Sequence, residues 1–328
     1  MRYKHFVNAD IDVSVLGVGT WAIGGDGYGE VNDKDSIEGI RTMLDNGVNL
    51  IDTAPAYGSG YAEKIVAQAI KGYDRSKLLI STKVGIGNTT LKFRKGGQGF
   101  VRDSSFDNIL YECEQSLRRL ETDYIDFYFI HWPDYDTSFE ETAKAMLQLK
   151  KEGKIRYVGV SNFSKEQIEE FSKYCQIDVI QPPYSMMVRK DEELMKWALE
   201  RGIDNLTYGS LGAGILTGKY REVPVFGPGD PRNGFYPYFK EPQFSKVMKV
   251  LEVMDKVSEE TGKPLAEITL NWTTQKDYVS TSLCGVRNSI QALQDCKAFD
   301  WELSELNMSE IDAAVEKYLD FDGAAPIK

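Results

Sequence analysis

Tyr124-Ile125-Asp126-Phe127-Tyr128-Phe129-Ile130-His131 decides how this chain is to be folded. The stretch is apolar and aromatic almost throughout and too short for a helix, so it is a strand. A strand that is apolar on both faces belongs to a parallel sheet covered by helices. The flanks agree with that assignment. Upstream, residues 107–120 carry Ile109, Leu110, Cys113, Leu117 and Leu120 at helical spacing. Downstream, residues 138–151 repeat the pattern through Phe139, Ala143, Met146, Leu147 and Lys150.

The same alternation extends in both directions. Short apolar runs occur at 15–18, 48–52, 78–84, 124–130, 155–160, 178–180, 203–208 and 279–284, with longer amphipathic segments between them. Ser164 opens one of these segments, and Gln167 three residues on makes a capping box. Eight strand–helix units predict a parallel sheet that closes into a (β/α)8 TIM barrel, one domain over residues 1–328. Further helix patterns at 245–260, 264–275 and 309–319 predict extra C-terminal helices. The seventh run, Asp204-Asn205-Leu206-Thr207, is unusually polar for a buried strand. The longest irregular stretch, 223–243, holds Gly227, Pro228, Gly229, Pro231, Gly234 and Pro237. It follows the seventh strand and would lie over the C-terminal mouth of the barrel, where active sites sit.

Composition narrows the partners. The chain has 328 residues, 42% of them apolar, which fills a large core. Lys plus Arg is 39 against 50 Asp plus Glu, a formal net charge of −11 with no basic cluster. Such a surface repels phosphate backbones, which argues against nucleic acid or an anionic membrane as partner. The cysteines, Cys113, Cys175, Cys284 and Cys296, form no C-x-x-C pair and read as reduced thiols of a cytoplasmic protein. The polar start, residues 1–12, does not look like a signal peptide, and no run approaches the roughly 18–20 apolar residues that span a bilayer.

Gly17-Val18-Gly19-Thr20-Trp21-Ala22 matches the G-x-G-x-x-A dinucleotide fingerprint after a strand. That fingerprint works only if a helix begins inside it, so that its amides hold a pyrophosphate. Gly24, Gly25, Gly27 and Gly29 follow at once and oppose a helix, so the segment is read as a flexible first β/α loop. This loop and residues 223–243 together suggest a mobile lid.

Polar residues interrupt the apolar runs at their C-terminal ends. Asp52 ends Val48-Asn49-Leu50-Ile51-Asp52, Lys83 ends Leu79-Ile80-Ser81-Thr82-Lys83, and His131 ends the opening stretch. Tyr57 follows Asp52 in Thr53-Ala54-Pro55-Ala56-Tyr57-Gly58. Strand C-termini converge on one mouth, so three strands would deliver these groups to one place. The set suits carbonyl reduction. A free tyrosine, near pKa 10, is a poor acid at neutral pH, and a lysine ammonium beside it stabilises the phenolate. An aspartate keeps the lysine charged and in place, and a histidine orients the substrate oxygen. This chemistry needs no metal. Each residue also has a plain structural alternative: a cap, a packed loop aromatic, a surface lysine, a satisfied histidine.

At these residues the sequence resembles the aldo-keto reductase superfamily. Asp52 to Gly58, Thr82-Lys83-Val84-Gly85, Asp123-Tyr124-Ile125-Asp126 leading to His131-Trp132-Pro133-Asp134, Gly159-Val160-Ser161-Asn162-Phe163, Gln181-Pro182-Pro183-Tyr184 and Leu211-Gly212-Ala213-Gly214-Ile215-Leu216-Thr217-Gly218-Lys219 follow in the family's order. The nearest likeness is to a bacterial branch of inositol-cluster and general stress reductases, to which Gly229-Asp230-Pro231-Arg232-Asn233 points. The resemblance implies a barrel with an N-terminal β-hairpin. It implies an oxidoreductase that moves hydride between NADPH or NADP+ (or NADH) and a small-molecule aldehyde, ketone, sugar or polyol carbon. Tyr57 would be the proton donor, tuned by Lys83 and Asp52, with His131 orienting the carbonyl. Ser161, Asn162 and Gln181 would hold the nicotinamide carboxamide, and Tyr208 would stack on its ring. Gly19, Thr20 and Trp21 would border the cofactor, and Leu211, Gly212, Lys219 and Arg232 would line the pyrophosphate channel. Gly285, Arg287, Gln291 and Asp295 would meet the adenosine end, with Arg287 on the 2′-phosphate. Trp21, Tyr28 and Trp132 would wall the substrate pocket. Position 295 departs from the family pattern, where Asn is common, as does Gln294 where Glu is common. A carboxylate repels a 2′-phosphate and favours NAD. Two other functions stay open on the residues alone: a barrel lyase forming a Schiff base on Lys83, and a cofactor-binding regulatory subunit. A homo-oligomer is compatible with any of them.

Overall fold

Each of the eight apolar runs forms a strand of one closed barrel. The structure is a computed structural model that describes residues 1–25, 31–87 and 101–324. Its strands are β1 (Tyr3–Phe6), β2 (Ile11–Ser14), β3 (Leu16–Gly19), β4 (Leu50–Asp52), β5 (Leu79–Val84), β6 (Ile86–Gly87), β7 (Val101–Arg102), β8 (Ile125–Ile130), β9 (Ile155–Ser161), β10 (Val179–Gln181), β11 (Asp204–Tyr208) and β12 (Thr281–Gly285). The helices are α1 (Asp33–Asp45), α2 (Tyr61–Ile70), α3 (Phe106–Leu120), α4 (Phe139–Lys151), α5 (Lys165–Phe171), α6 (Glu192–Leu199), α7 (Gln243–Thr261), α8 (Leu265–Thr274), α9 (Ser289–Lys297) and α10 (Glu305–Tyr318).

The barrel runs β3-β4-β5-β8-β9-β10-β11-β12 and closes from β12 onto β3, with parallel pairing throughout. Alternation along each strand sorts the side chains. Leu50, Leu79, Phe127, Phe129, Val179, Leu206 and Leu283 fill the interior, while Ile51, Ile80, Tyr128 and Ile130 face the helices. The antiparallel hairpin β1–β2 plugs the floor with Phe6 and Val13. Gly159 leaves room for Phe129, since a Cβ there would lie 2.4 Å from the ring.

Helix starts follow local chemistry. Ser164 and Gln167 form the reciprocal capping box that caps α5. Ser138 caps α4 by accepting from the Glu141 amide. The last helix begins before the apolar pattern at 309–319, at Glu305, because Ser304 accepts from the Asn307 amide and supplies a cap. A second core joins α7, α8 and α10 around Trp272, Met254 and Ile311.

The polarity of β11 has a structural reason. Asp204 accepts from the Val7 amide (3.0 Å) and Ser280 Oγ (2.8 Å), tying the hairpin to the barrel. Asn205 Nδ2 donates to the carbonyls of Met195 (3.1 Å) and Tyr278 (3.0 Å). These side chains fasten the seventh strand to its neighbours. The stretch 223–243 is also better anchored than a free lid. Phe226 and Phe239 pack edge to face at 5.0 Å, Tyr238 adds a ring at 5.3 Å from Phe239, and both Tyr238 and Phe239 are buried. Residues 26–30 of the first loop lie outside the described residues.

Candidate active site

After β3 the chain enters a single 3-10 turn, Trp21–Gly24, and no α-helix starts there. The glycine motif is therefore a loop, as its neighbouring glycines imply. Thr20 is buried, and its hydroxyl (2.9 Å) and amide (3.2 Å) both donate to the Asp52 carbonyl. Gly24 and Gly58 let this turn touch the Tyr57 loop: a Cβ on Gly58, whose φ is +60°, would lie 2.3 Å from the Gly24 carbonyl oxygen.

Three strand ends and one loop bring Asp52, Tyr57, Lys83 and His131 together. Lys83 Nζ donates to Asp52 Oδ2 (2.6 Å), the Thr53 carbonyl (2.9 Å) and Tyr57 Oη (3.2 Å). The Lys83 side chain has no exposed surface. The His131 ring meets Tyr57 edge-on with centroids 6.1 Å apart. Asp52 Oδ1 accepts from Ser81 Oγ (2.6 Å) and Gln181 Nε2 (2.9 Å). The aspartate is thus held by three side-chain donors in the barrel's interior.

Burial dominates the electrostatics of this cluster. It pushes the Tyr57 phenol well above its ordinary value, and the Asp52 charge adds to the rise. A lysine alone would lower that value, but here burial outweighs it, and the resting phenol keeps its proton at neutral pH. Burial also lowers Lys83, against which Asp52 pulls upward through its charge and its hydrogen bond. Three acceptors match the three ammonium hydrogens, which favours the charged form. Burial and the Lys83 charge push His131 well below its usual range, so the imidazole is neutral. Its Nδ1 meets no hydrogen-bond partner among the described residues.

A second cluster adjoins the first. Asn162 Nδ2 donates to the His131 carbonyl and to Ser161 Oγ, each at 3.0 Å, and Tyr208 Oη donates to Asn162 Oδ1 at 3.2 Å. Ser161 Oγ donates to the Gln181 carbonyl at 2.9 Å. Asn162 sits at φ +61°, a left-handed conformation that concentrates at functional sites. Ser161, Asn162, Gln181 and Tyr208 therefore share one hydrogen-bonded patch with the tetrad.

The remaining candidates lie further out. Leu211 and Gly212 open a turn after β11, with Gly212 at φ +57°. Lys219 is exposed, its ammonium 5.4 Å from the Tyr220 ring centre. Arg232 is engaged by its own loop: it donates to Asp230 through Nε (2.9 Å) and Nη2 (2.5 Å), and to Tyr220 Oη (2.8 Å). Gly19 and Gly285 are register partners at adjacent strand ends. Gln291 closes the turn after β12, donating to the Gly285 carbonyl (3.2 Å) and accepting from the Arg287 amide (3.3 Å). Arg287 is exposed. Its charge reaches Asp230, whose carboxyl is held low chiefly by its bond from the Arg232 side chain, with the Arg287 charge the smallest contribution. Asp295 does not share that surface. It is buried, with Cys284 Sγ donating to Oδ2 at 3.5 Å, and burial pushes its carboxyl up to about 7.

Trp21 lies against Tyr57 with ring centres 6.4 Å apart. Trp132 stacks under the Arg102 guanidinium at 5.1 Å. Tyr28, the third expected wall residue, lies outside the described residues. Phe235, from the 223–243 stretch, packs on Trp21 at 6.0 Å, a wall that no sequence motif announces. Among the described residues, no group of three or more His, Cys, Asp or Glu could hold a metal, and no helix is long and apolar enough to cross a membrane.

Comparison with known proteins agrees with this geometry. The Aldo/keto reductase family profile matches residues 15–316. The chain is 40% identical to Aldo-keto reductase YhdN of Bacillus subtilis (strain 168), over 96% of this chain and 94% of that protein. It is 34% identical to an NADH-specific methylglyoxal reductase of Escherichia coli (strain K12), over 94% and 97%. The solved glycerol dehydrogenase AKR11B4 from Gluconobacter oxydans superposes with a TM-score of 0.85 at 33% identity, covering 100% of this chain and 97% of that one. With its closed parallel barrel and a match across almost its whole length, the chain belongs to the aldo/keto reductase family of oxidoreductases.

Proposed function

We propose that this oxidoreductase interconverts a small carbonyl compound and its alcohol, using NADPH or NADP+, with Tyr57 as the proton donor. The observation that carries the proposal is the line from Asp52 through Lys83 to Tyr57, at 2.6 and 3.2 Å, set inside a barrel mouth. In the reductive direction Tyr57, protonated at rest, gives its proton to the carbonyl oxygen. Lys83 stabilises the phenolate left behind, and Asp52 keeps the ammonium in place. The neutral His131 donates a hydrogen bond that orients the oxygen.

The donor set fits a nicotinamide nucleotide. Ser161, Asn162 and Gln181 would hold its carboxamide, and Tyr208 would lie against its ring. Leu211, Gly212, Lys219 and Arg232 would follow the pyrophosphate, and Gly285, Arg287 and Gln291 the adenosine end. The bound nucleotide supplies or accepts the hydride. Trp21, Trp132 and Phe235 form aromatic walls suited to a small, uncharged substrate. The similarity to a methylglyoxal reductase and a glycerol dehydrogenase favours three-carbon aldehydes, ketones and polyols. The exposed Arg287 favours NADPH. Asp295 argues less strongly for NADH than its position in the sequence suggests, because it is buried and titrates near neutrality.

Lyase chemistry on Lys83 is disfavoured, since a Schiff base needs a free lone pair and this nitrogen serves three acceptors. The buried, unpaired cysteines suit the reducing cytosol. Titration of intrinsic fluorescence with NADPH and NADH side by side tests the proposal. It should give quenching by both, with NADPH the tighter and Arg287→Ala abolishing the preference. Tighter NADH would overturn the Arg287 assignment, and binding of neither would overturn the proposal.

A further inference from the structure

Ser81 lies inside β5 and carries none of the chemistry assigned above, yet its hydroxyl makes one of the two shortest side-chain contacts to Asp52. Parallel register puts Ser81 directly beside Asp52 on the neighbouring strand. Ser81 Oγ donates to Oδ1 at 2.6 Å, equal in length to the Lys83 bond on Oδ2. The second donor to Oδ1 comes from the far side. In the barrel order, β10 stands four strands from β4 in either direction, so Gln181 spans the interior to reach Asp52 at 2.9 Å. An ionised carboxylate only accepts. The Gln181 amide therefore turns its NH2 toward Asp52.

Resting on the Tyr57 proton-donor reading, we infer that Ser81, with Gln181, is a positioning residue that disperses the Asp52 charge and so sets the pH at which Tyr57 works. The groups facing Asp52 are few. Ser81 and Lys83 come from β5, Gln181 from β10, and Tyr57 from the loop after β4; Thr20 holds the Asp52 carbonyl. Glu63 of α2 and His131 at the end of β8 act on the cluster through Lys83. Of the two uncharged donors to Oδ1, only Gln181 also belongs to the nicotinamide patch.

The sign follows from electrostatics. Each donor points the positive end of a dipole at Asp52, partly offsetting the negative charge that Tyr57 feels. Removing Ser81 Oγ exposes more of that charge, so the phenol holds its proton more tightly. Alcohol oxidation needs the phenolate to accept a proton, and its rate rises with pH through the Tyr57 titration. Carbonyl reduction needs the phenol and falls with pH through the same titration. Both limbs should move to higher pH together.

The test compares Ser81→Ala with wild type, using methylglyoxal with NADPH for reduction and glycerol with NADP+ for oxidation. Ser81→Ala should raise both limbs by about 0.5–1 pH unit, so that oxidation at pH 7 falls roughly 3- to 10-fold. Its affinity for NADPH, read by fluorescence, should equal wild type. Gln181→Met, which keeps the volume and loses the donor, should shift the limbs the same way while also weakening NADPH binding. It serves as the test if Ser81→Ala does not fold. Profiles that superimpose on wild type in whichever variant folds overturn this inference alone. A wild-type enzyme that turns over neither compound, or whose Tyr57→Phe variant keeps its activity, overturns the underlying assignment and this inference with it.

Discussion

Two buried carboxylates, one at each end of the barrel, are built alike but hold different partners. At the mouth, Asp52 holds Lys83, Ser81 and Gln181. At the opposite end, Asp126 accepts from Arg75 Nη2 (2.8 Å), Arg156 Nη1 (3.0 Å) and the Ile80 amide (2.9 Å), and both guanidinium groups sandwich the Tyr124 ring, at 4.0 and 3.9 Å. The difference lies in the cations. Arginine stays protonated in proteins and grips with a planar fork, so the Asp126 assembly has one charge state and serves as a clamp. Lysine is a compact ammonium whose pKa shifts on burial, and it touches a phenol. The Asp52 assembly therefore joins a lysine and a phenol, two groups whose protons can exchange. A third buried carboxylate, Asp295, faces a thiol and, among the described residues, no cation, and it rises toward neutrality where a paired carboxylate would stay ionised.

The comparison can be broken most sharply at the clamp. Asp126→Ala leaves two arginines without their buried partner, and it should cost about 3 kcal/mol, lowering the melting temperature by roughly 5–10 °C. Turnover per folded molecule should hardly change; a loss of kcat with an unshifted melting curve would erase the distinction between the two ends. The smaller effect is at Asp295. Its folded pKa, about 7, lies above the ordinary value of 3.8, so the folded state binds the extra proton. Its contribution to stability is complete below about pH 4 and is lost as pH rises through 7. Asp295→Asn should therefore stabilise the protein by about 2–4 kcal/mol at pH 8 and hardly at all at pH 4. Melting curves at the two pH values decide it, and an equal shift at both would contradict the unpaired burial of this carboxylate.

How far the sequence could be read depended on whether a signal was local. Most of the barrel strands are apolar runs, which separates them from the helices without long-range information; β11 is the polar exception. The hairpin is different: Lys4, His5, Asp10 and Asp12 give it no apolar run, because one of its faces meets solvent, and only family likeness announces it. Asp52, Lys83 and His131 stand out as polar endings of apolar runs. Ser81 does not, because a small hydroxyl inside a strand has no signature, and the reach of Gln181 depends on the diameter of a closed barrel. Phe235 becomes a wall only through the path of a 21-residue segment, 223–243, over the mouth. Asp295 was readable in part. Ala292 and Cys296, three residues before and one after, are apolar and buried, which puts the carboxylate on the inner face of α9.

The central claim is that the mouth cluster moves a proton through Tyr57. Steady-state turnover of Tyr57→Phe, measured beside its NADPH affinity, tests it most directly. Loss of the hydroxyl should cut kcat by about 10²–10⁴ while NADPH binding stays within a few-fold of wild type. A variant that binds NADPH normally and still reduces methylglyoxal at the wild-type rate would contradict it.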